Sequence, residues 1–299
     1  MPEVRCGLIG YGAWGQHHAR AIRATGGARL TAICARSAQS VARARAEQPQ
    51  ARVYDDYREM LAQEELDLCD VVLPSDLHFQ VSRDVLESGR HLLLEKPMAL
   101  SLEHCSQLVR LAKARARVLA VGHELRMSSL WGKVKELIDG GEIGEPLYCL
   151  IELWRRPYRP GSGGWRYDIS RVGDWILEEP IHFFDLARWY LAGAGEPASV
   201  YAAANGKRED HPELHDNFSA VVTFPRGRYA VISQTLAAWE HHQTAKLTGT
   251  TDGAHFHLAT SPASINTLSS FIKSNGLASI SLYNNDTSFS LFRYTSFII

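Results

Sequence analysis

Residues 4–18 read Val4-Arg-Cys-Gly-Leu-Ile-Gly10-Tyr-Gly12-Ala13-Trp14-Gly15-Gln-His17-His18, and this stretch decides the fold. A short apolar run ends at Ile9, meets Gly10-x-Gly12-x-x-Gly15, and continues into a helix-compatible segment. Strand, glycine turn and helix in that order form the dinucleotide-binding fingerprint. Gly10 permits a tight turn, Gly12 lets the backbone approach a pyrophosphate, and Gly15 lets the helix pack closely on the strand. Ala13 and Trp14 fall in the first helical turn, whose N–H groups and positive dipole end face the phosphates.

Outward from this turn the chain keeps the same rhythm. Residues 29–34, 52–54, 68–73, 91–95 and 118–121 read as short apolar strands, with helices between them capped at Ser37, Asp55 and Ser101 and one starting at Asp76. Strands alternating with helices at this spacing predict a doubly wound parallel sheet, with the nucleotide across the carboxyl ends of its strands. Past Gly122 the rhythm changes. A helix over 130–139 leads to a strand over 147–154, a Gly/Arg/Pro-rich loop over 155–173 and a helix over 175–191. Strands follow at 199–204, 217–224, 229–235 and 245–249, with Pro225-Arg226-Gly227 as a hairpin turn. This predicts an α+β domain on a mainly antiparallel sheet. The expected domains are 1–123 and 124–299. Residues 260–299 are atypical: they are rich in serine, and their charged side chains are Lys273, Asp286 and Arg293. Extra edge strands, a surface covered in an oligomer, or a segment foreign to the fold all suit that composition.

Bulk composition narrows the classes. With 45% hydrophobic and 22% charged residues the chain is an ordinary globular sequence. A net charge of −1 supplies no field to recruit nucleic acid or an anionic membrane. No apolar run approaches the ~20 residues that span a bilayer, and the start of the chain does not read as a signal peptide. The five scattered cysteines read as reduced, mostly buried thiols, so a cytoplasmic location is expected.

Two constellations carry chemistry. His91-Leu-Leu-Leu-Glu95-Lys96-Pro97 ends a parallel strand, where this architecture places its ligands. A partly desolvated lysine there is placed to pass a proton and to stabilise an alkoxide; a solvated surface lysine is the plainer alternative. In Glu178-Glu-Pro180-Ile-His182-Phe-Phe-Asp185 a regular helix sets Glu178, His182 and Asp185 on one face, at i, i+4 and i+7. A carboxylate one turn from an imidazole can orient it as a base. A core histidine is the plainer reading, and Pro180 interrupts the helix.

Taken together these residues resemble the Gfo/Idh/MocA family of NAD(P)-dependent oxidoreductases. The ordered set is Gly10-x-Gly12-x-x-Gly15, Pro74-x-x-x-His78, Glu95-Lys96-Pro97, Gly122-His123-Glu-Leu-Arg126, Trp165-Arg166 with Gly173, and His182-x-x-Asp185. The resemblance implies an N-terminal Rossmann domain and a second domain whose open sheet mediates homo-oligomerisation. It places Pro74, His78, Glu95, Lys96 and Pro97 with the cofactor, and Lys96 and His182 at the carbon oxidised. It puts Glu178 where many members carry an aspartate, Asp185 at the second acidic position, and His123, Trp165, Arg166 and Asp168 with the substrate. Residues 260–299 do not resemble the family's continuation, which reads as a truncated or substituted C-terminus.

The end of the second strand, Ala35-Arg36-Ser37, offers no acid for a ribose diol. Arg36 pairing with a 2′-phosphate, and Ser37 donating to it, favour NADP over NAD; Arg36 stacked on adenine with NAD bound is the alternative. The expected activity is hydride transfer between NADP or NAD and a carbinol or carbonyl carbon of a sugar, inositol or related polyol. Alternatives are a dinucleotide- or sugar-sensing protein of the same fold, and a glycosidase branch using tightly held NAD. No metal site is expected: Glu240-His241-His242 lacks a third nearby ligand, and of His17-His18 on the first helix, His18 resembles a packing position common in the family.

Overall fold

The computed structural model describes residues 3–239, 241–251, 253–259 and 277–281. They form two compact units. One comprises the described residues up to His123 with Ser170–Gly173; the other comprises Glu124–Ile169 and the described residues from Asp174 onward.

The first unit is a parallel sheet. Its strands are β1 (Val4–Ile9), β2 (Ala28–Cys34), β3 (Arg52–Tyr54), β4 (Leu68–Val71), β5 (His91–Leu94) and β6 (Leu119–Val121), ordered β3-β2-β1-β4-β5-β6. Between them run α1 (Ala13–Ala24), α2 (Ala38–Glu47), α3 (Tyr57–Gln63), α4 (His78–Glu87) and α5 (Leu102–Ala114). Strand side chains alternate between faces, and two apolar cores result. Ile9, Val71, Leu92 and Leu94 pack with Val85, Leu86 and Leu108 on one face. Leu8, Leu30 and Ile33 pack with Ala19, Ile22 and Ala44 on the other. The order reverses between β1 and β4, which opens the ligand crevice of such sheets at their carboxyl ends.

Local signals set the helix limits. The oxygens of Ser37 and Ser101 accept the N–H of Ser40 and His104 as expected. For α3 the cap is Asp56, which accepts from Arg58, rather than the expected Asp55. Helix α4 starts two residues after the expected Asp76, because Ser75–Leu77 form a tighter turn first. All five cysteines are free thiols. Burial pushes Cys6, Cys34, Cys69 and Cys149 up to about 12.

The second unit contains α6 (Ser129–Asp139), β7 (Pro146–Trp154), α8 (Pro180–Tyr190), and strands β8 (Ser199–Asn205), β9 (Asn217–Thr223), β10 (Tyr229–Thr235), β11 (His242–Gly249), β12 (Gly253–Ala259) and β13 (Leu277–Ser281); the single turn α7 (Ile169–Val172) groups with the first unit from Ser170 onward. The sheet order is β13-β12-β11-β7-β10-β9-β8. Pairing is antiparallel except for β7 with β10 and β12 with β13. The expected hairpin at Pro225–Gly227 joins β9 to β10. In β7, Cys149, Ile151 and Leu153 are buried and join Phe183, Leu186 and Ala187 of α8 in one core. The opposite face keeps Trp154 and Tyr229 exposed, with the rings of Tyr148 and Tyr229 4.9 Å apart. Within residues 260–299 the described part is β13; the remainder, and the expectation of a truncated or substituted C-terminus, lie outside the described residues. No helix among the described residues is long and apolar enough to cross a membrane.

Candidate active site

In the first unit the glycine turn is built by backbone proximity. Gly10 has φ +108, and a Cβ there would lie 2.0 Å from the carbonyl oxygen of Val72. A Cβ on Gly15 would lie 2.0 Å from the carbonyl oxygen of Gly10. Bulkier residues at either place would push α1 off β1. A Cβ on Gly12 meets no described atom within 4 Å, which leaves open the approach that a pyrophosphate requires. Gly12 is the N-cap of α1, so the helix's first N–H groups take no side-chain cap and point to that opening with the dipole behind them. The turn fits a dinucleotide. Beyond β2, Arg36 and Arg45 line a 460 Å³ cavity with Tyr54, Asp55 and Glu59. Ser37, exposed next to Arg36, accepts the N–H of Ser40 and places its hydroxyl 2.9 Å from Ser40 Oγ.

A buried network underlies the turn. His18 on α1 sets Nδ1 2.8 Å from Asp70 Oδ2 and Nε2 3.1 Å from Glu95 Oε1. Trp14 Nε1 donates to the same Glu95 oxygen at 3.1 Å, and the backbone N–H of Lys96 reaches Glu95 Oε2 at 3.3 Å. Burial presses the His18 imidazolium down, but the charge and hydrogen bond of Asp70, with those of Glu95, hold it up at about 10. Burial leaves Asp70 above its ordinary range despite His18. Glu95 stays below its own range: burial raises it, and His18, Lys96 and Trp14 together outweigh that.

Lys96 follows β5 directly and is half-buried; its peptide to Pro97 is cis. His78, placed with the cofactor by resemblance, is fully buried. Its Nδ1 faces the carbonyl of Pro97 at 2.6 Å and its Nε2 that of Leu73 at 2.9 Å, so the ring sits between two carboxyl-edge loops and, when neutral, donates to one of the two. Pro74 begins the turn that leads to it. His123 closes β6, its N–H on the carbonyl of Val121.

In the second unit Pro180 stands at the first position of α8 and starts it, since proline has no N–H to continue a helix from before. Glu178 therefore precedes the helix, and the expected single helical face of Glu178, His182 and Asp185 is corrected: His182 and Asp185 share α8, and Glu178 does not. His182 is buried. The carboxylate oxygen 3.7 Å from its Nε2 belongs to Glu124, a residue sequence reasoning passed over. Asp185 holds Arg126 in a two-pronged pair at 2.6 and 2.7 Å, with the guanidinium over the Trp189 ring. Glu178 takes Arg166 Nε at 2.5 Å. Arg166 also lies 4.5 Å from the Trp165 ring centre, and its carbonyl accepts Trp175 Nε1 at 2.8 Å. Gly161, at φ +78, leaves room for the Trp165 indole, 2.6 Å from where its Cβ would stand. Asp168 is exposed beside this loop. Among the described residues no group of three or more His, Cys, Asp or Glu could hold a metal.

A parallel sheet with a glycine turn that fits a dinucleotide, joined to a second open-sheet unit, defines a class of two-part nucleotide-dependent proteins. Residues 4–123 match the family model described as oxidoreductase family, NAD-binding Rossmann fold, and residues 131–255 match the Gfo/Idh/MocA C-terminal domain. The chain belongs to the Gfo/Idh/MocA family of NAD-binding oxidoreductases. It is 30% identical over 249 residues to the uncharacterized oxidoreductase YdgJ of Escherichia coli (strain K12), covering 80% of this chain and 67% of that protein. It is 29% identical over 239 residues to inositol 2-dehydrogenase of Rhizobium meliloti (strain 1021), covering 79% and 69%. The crystal structure of the WlbA dehydrogenase from Bordetella pertussis in complex with NADH and UDP-GlcNAcA is similar in fold, at TM-score 0.78 and 24% identity, over 86% of this chain and 74% of that one.

The His18 network makes stability depend on pH with a defined sign. A histidine at its ordinary 6.5 in the unfolded chain and about 10 in the folded one contributes fully below pH 6.5. Between those values the folded chain holds a proton that the unfolded chain has released, so stability falls as pH rises. Urea unfolding at intervals from pH 6 to 10 is expected to show a loss of at most about 1.4 kcal/mol per pH unit that His18→Gln lacks. Parallel curves for the two proteins contradict the assignment.

Proposed function

We propose that this chain transfers a hydride between a nicotinamide dinucleotide and a carbinol or carbonyl carbon of a sugar, inositol or related polyol. The observation that carries the reading is the place of Lys96: it follows β5 at the carboxyl edge, and its peptide hydrogen-bonds the carboxylate that also holds Trp14 of the glycine turn. The relatives named for inositol and UDP-sugar chemistry support the substrate class.

A dinucleotide held at the turn of Gly10, Gly12 and Gly15 would supply the hydride acceptor, or the donor in the reverse direction. For oxidation, the C–H bond breaks with its electron pair leaving as hydride, the O–H proton passes to His182, and the carbon–oxygen double bond forms. Lys96 stabilises the oxygen while its negative charge develops. Glu124 stabilises the positive charge that His182 gains. Glu178 and Asp185 position Arg166 and Arg126, and Trp165, Arg166, Asp168 and His123 supply hydrogen-bonding groups and an aromatic surface for a hydroxyl-rich substrate. Of the two dinucleotides, Arg36 favours NADP, because β2 ends without an acid to take a ribose diol. The outward face of the second sheet, with Tyr148, Trp154 and Tyr229, is the contact through which copies of the chain associate, and the setting is cytoplasmic.

Lys96→Ala is expected to lower kcat by roughly 10²–10⁴-fold while the Kd for NADH changes little, read from reduced-cofactor absorbance across a panel of sugars and polyols including myo-inositol. Undiminished turnover in that variant removes the mechanism. Arg36→Ala is expected to raise KM for NADP about tenfold and leave KM for NAD nearly unchanged, as loss of one charge-assisted contact predicts; equal changes in both contradict the preference. By light scattering the wild-type chain is expected to be a multiple of its chain mass and Tyr229→Glu to shift toward the single chain, whereas a monomeric wild type rules out the contact.

A further inference from the structure

His18 lies between two carboxylates from separate strands, and its surroundings leave little choice of protonation state. Each ring nitrogen faces a carboxylate oxygen, at 2.8 and 3.1 Å, and an ionised carboxylate can only accept. With Asp70 and Glu95 both ionised, both nitrogens carry hydrogen, and it is the charge of the two carboxylates, beyond their being acceptors, that keeps the ring an imidazolium. All three groups are 6% exposed or less. One imidazolium between two carboxylates leaves these three groups one negative charge in excess, so the cation is what keeps the two acids close together, and its loss leaves them buried and opposed.

The geometry gives this cation a use beyond packing. Glu95 Oε1 accepts from His18 and from Trp14, while Glu95 Oε2 accepts the N–H of Lys96. Trp14 belongs to the first turn of α1, at the glycine turn itself. One carboxylate thus joins the turn that receives a dinucleotide to the peptide that carries Lys96, and His18, braced on Asp70, sets where that carboxylate stands.

We propose that His18 is a positioning residue for the dinucleotide: as an imidazolium braced on Asp70 it holds Glu95, and through Glu95 it fixes Trp14 and the glycine turn. The inference rests on the dinucleotide reading of that turn and is independent of which sugar or polyol is the substrate. A histidine that merely fills space affects stability but leaves the pH dependence of cofactor binding alone. Here, deprotonation of His18 frees Glu95 and loosens the turn. The charged and titratable groups facing His18 are Asp70 from β4, Glu95 from the end of β5 and His17 from α1. Lys96 and His78 act on Glu95 in turn.

The test is NADH binding to the full chain, followed by nicotinamide fluorescence from pH 7 to 10.5, with folding of each variant checked by circular dichroism. For the wild type the Kd is expected to stay level to about pH 9 and to rise about threefold to fourfold by pH 10.5, as the loss of one proton near pH 10 allows. His18→Gln is expected to bind at least about fivefold more weakly at pH 7 and to lose the alkaline rise. Because the effect runs through Trp14, the double variant Trp14→Phe with His18→Gln should bind within about twofold of His18→Gln alone. A folded His18→Gln with wild-type affinity, an unchanged alkaline limb, or full additivity with Trp14→Phe each overturns the proposal. Should His18→Gln fail to fold, Asp70→Asn keeps the ring and Glu95 and removes one anion. Its alkaline limb is expected to move down by about one pH unit or more, and an unmoved limb overturns the proposal. A wild-type chain that binds no NADH at pH 7 removes the cofactor reading as well, whereas normal wild-type binding with an indifferent His18→Gln removes this proposal alone.

Discussion

The first unit depends on one steric constraint: backbone meets backbone at the glycine turn. The places where side chains would start on Gly10 and Gly15 already lie 2.0 Å from the carbonyl oxygens of Val72 and Gly10. Contact this close lets α1 follow β1 with almost no connecting chain and lie flat on the sheet. Helix periodicity then fixes what each position of α1 faces. Gly15, His18, Ala19 and Ile22 turn inward, and position 18 comes to rest beside Asp70 of β4 and Glu95 after β5. A loose turn would shift the helix and separate His18 from both acids. The electrostatics of the unit therefore follow from the absence of two Cβ atoms.

The second unit solves a related problem differently. Its acids sit near arginines drawn from distant chain segments: Asp185 with Arg126, Glu178 with Arg166, Glu179 with Arg155. Planar guanidinium groups match carboxylates in two-point pairs and stack on rings, as Arg126 does on Trp189 and Arg166 on Trp165. Each pair orders two loops or helices at once. The approach of Glu124 to His182 depends on that order, because the turn carrying Glu124 also carries Arg126, and Arg126 is held to α8 three residues from His182.

What was legible in the sequence is what is decided locally. The glycine spacing, the alternation of strand and helix, and the caps at Ser37 and Ser101 each depend on a few neighbouring residues, and all appear in the structure. Boundaries slipped where adjacent residues compete for one role, as with Asp55 and Asp56 ahead of α3, or where a tighter turn intervenes before α4. The helix over 175–191 was misread in its first part because i, i+4, i+7 spacing was followed through Pro180, where the missing N–H starts a helix anew. Glu124 was invisible for another reason: its relation to His182 spans 58 positions, and no local pattern encodes it. His18 looked like an ordinary inward residue of α1, which it is; its charge is legible only once Asp70 and Glu95 are placed beside it.

Two buried imidazoles in the first unit show how the same side chain is set to opposite tasks by its acceptors. His18 faces two carboxylates and keeps its proton. His78 faces two carbonyl oxygens, and there burial, working against weaker partners, holds it below its ordinary value. They act on neighbouring parts of one short peptide. His18 holds the Glu95 carboxylate, and His78 meets the carbonyl of Pro97 at 2.6 Å. The peptide of Lys96 is thus gripped from both sides by groups that are themselves buried, while the lysine side chain extends from a fixed base. Reactive groups gain from supports of this kind, since a side chain on a rigid peptide has fewer wrong places to be. The order in the first unit therefore runs from missing Cβ atoms, to helix placement, to buried charge, to the peptide of a single lysine.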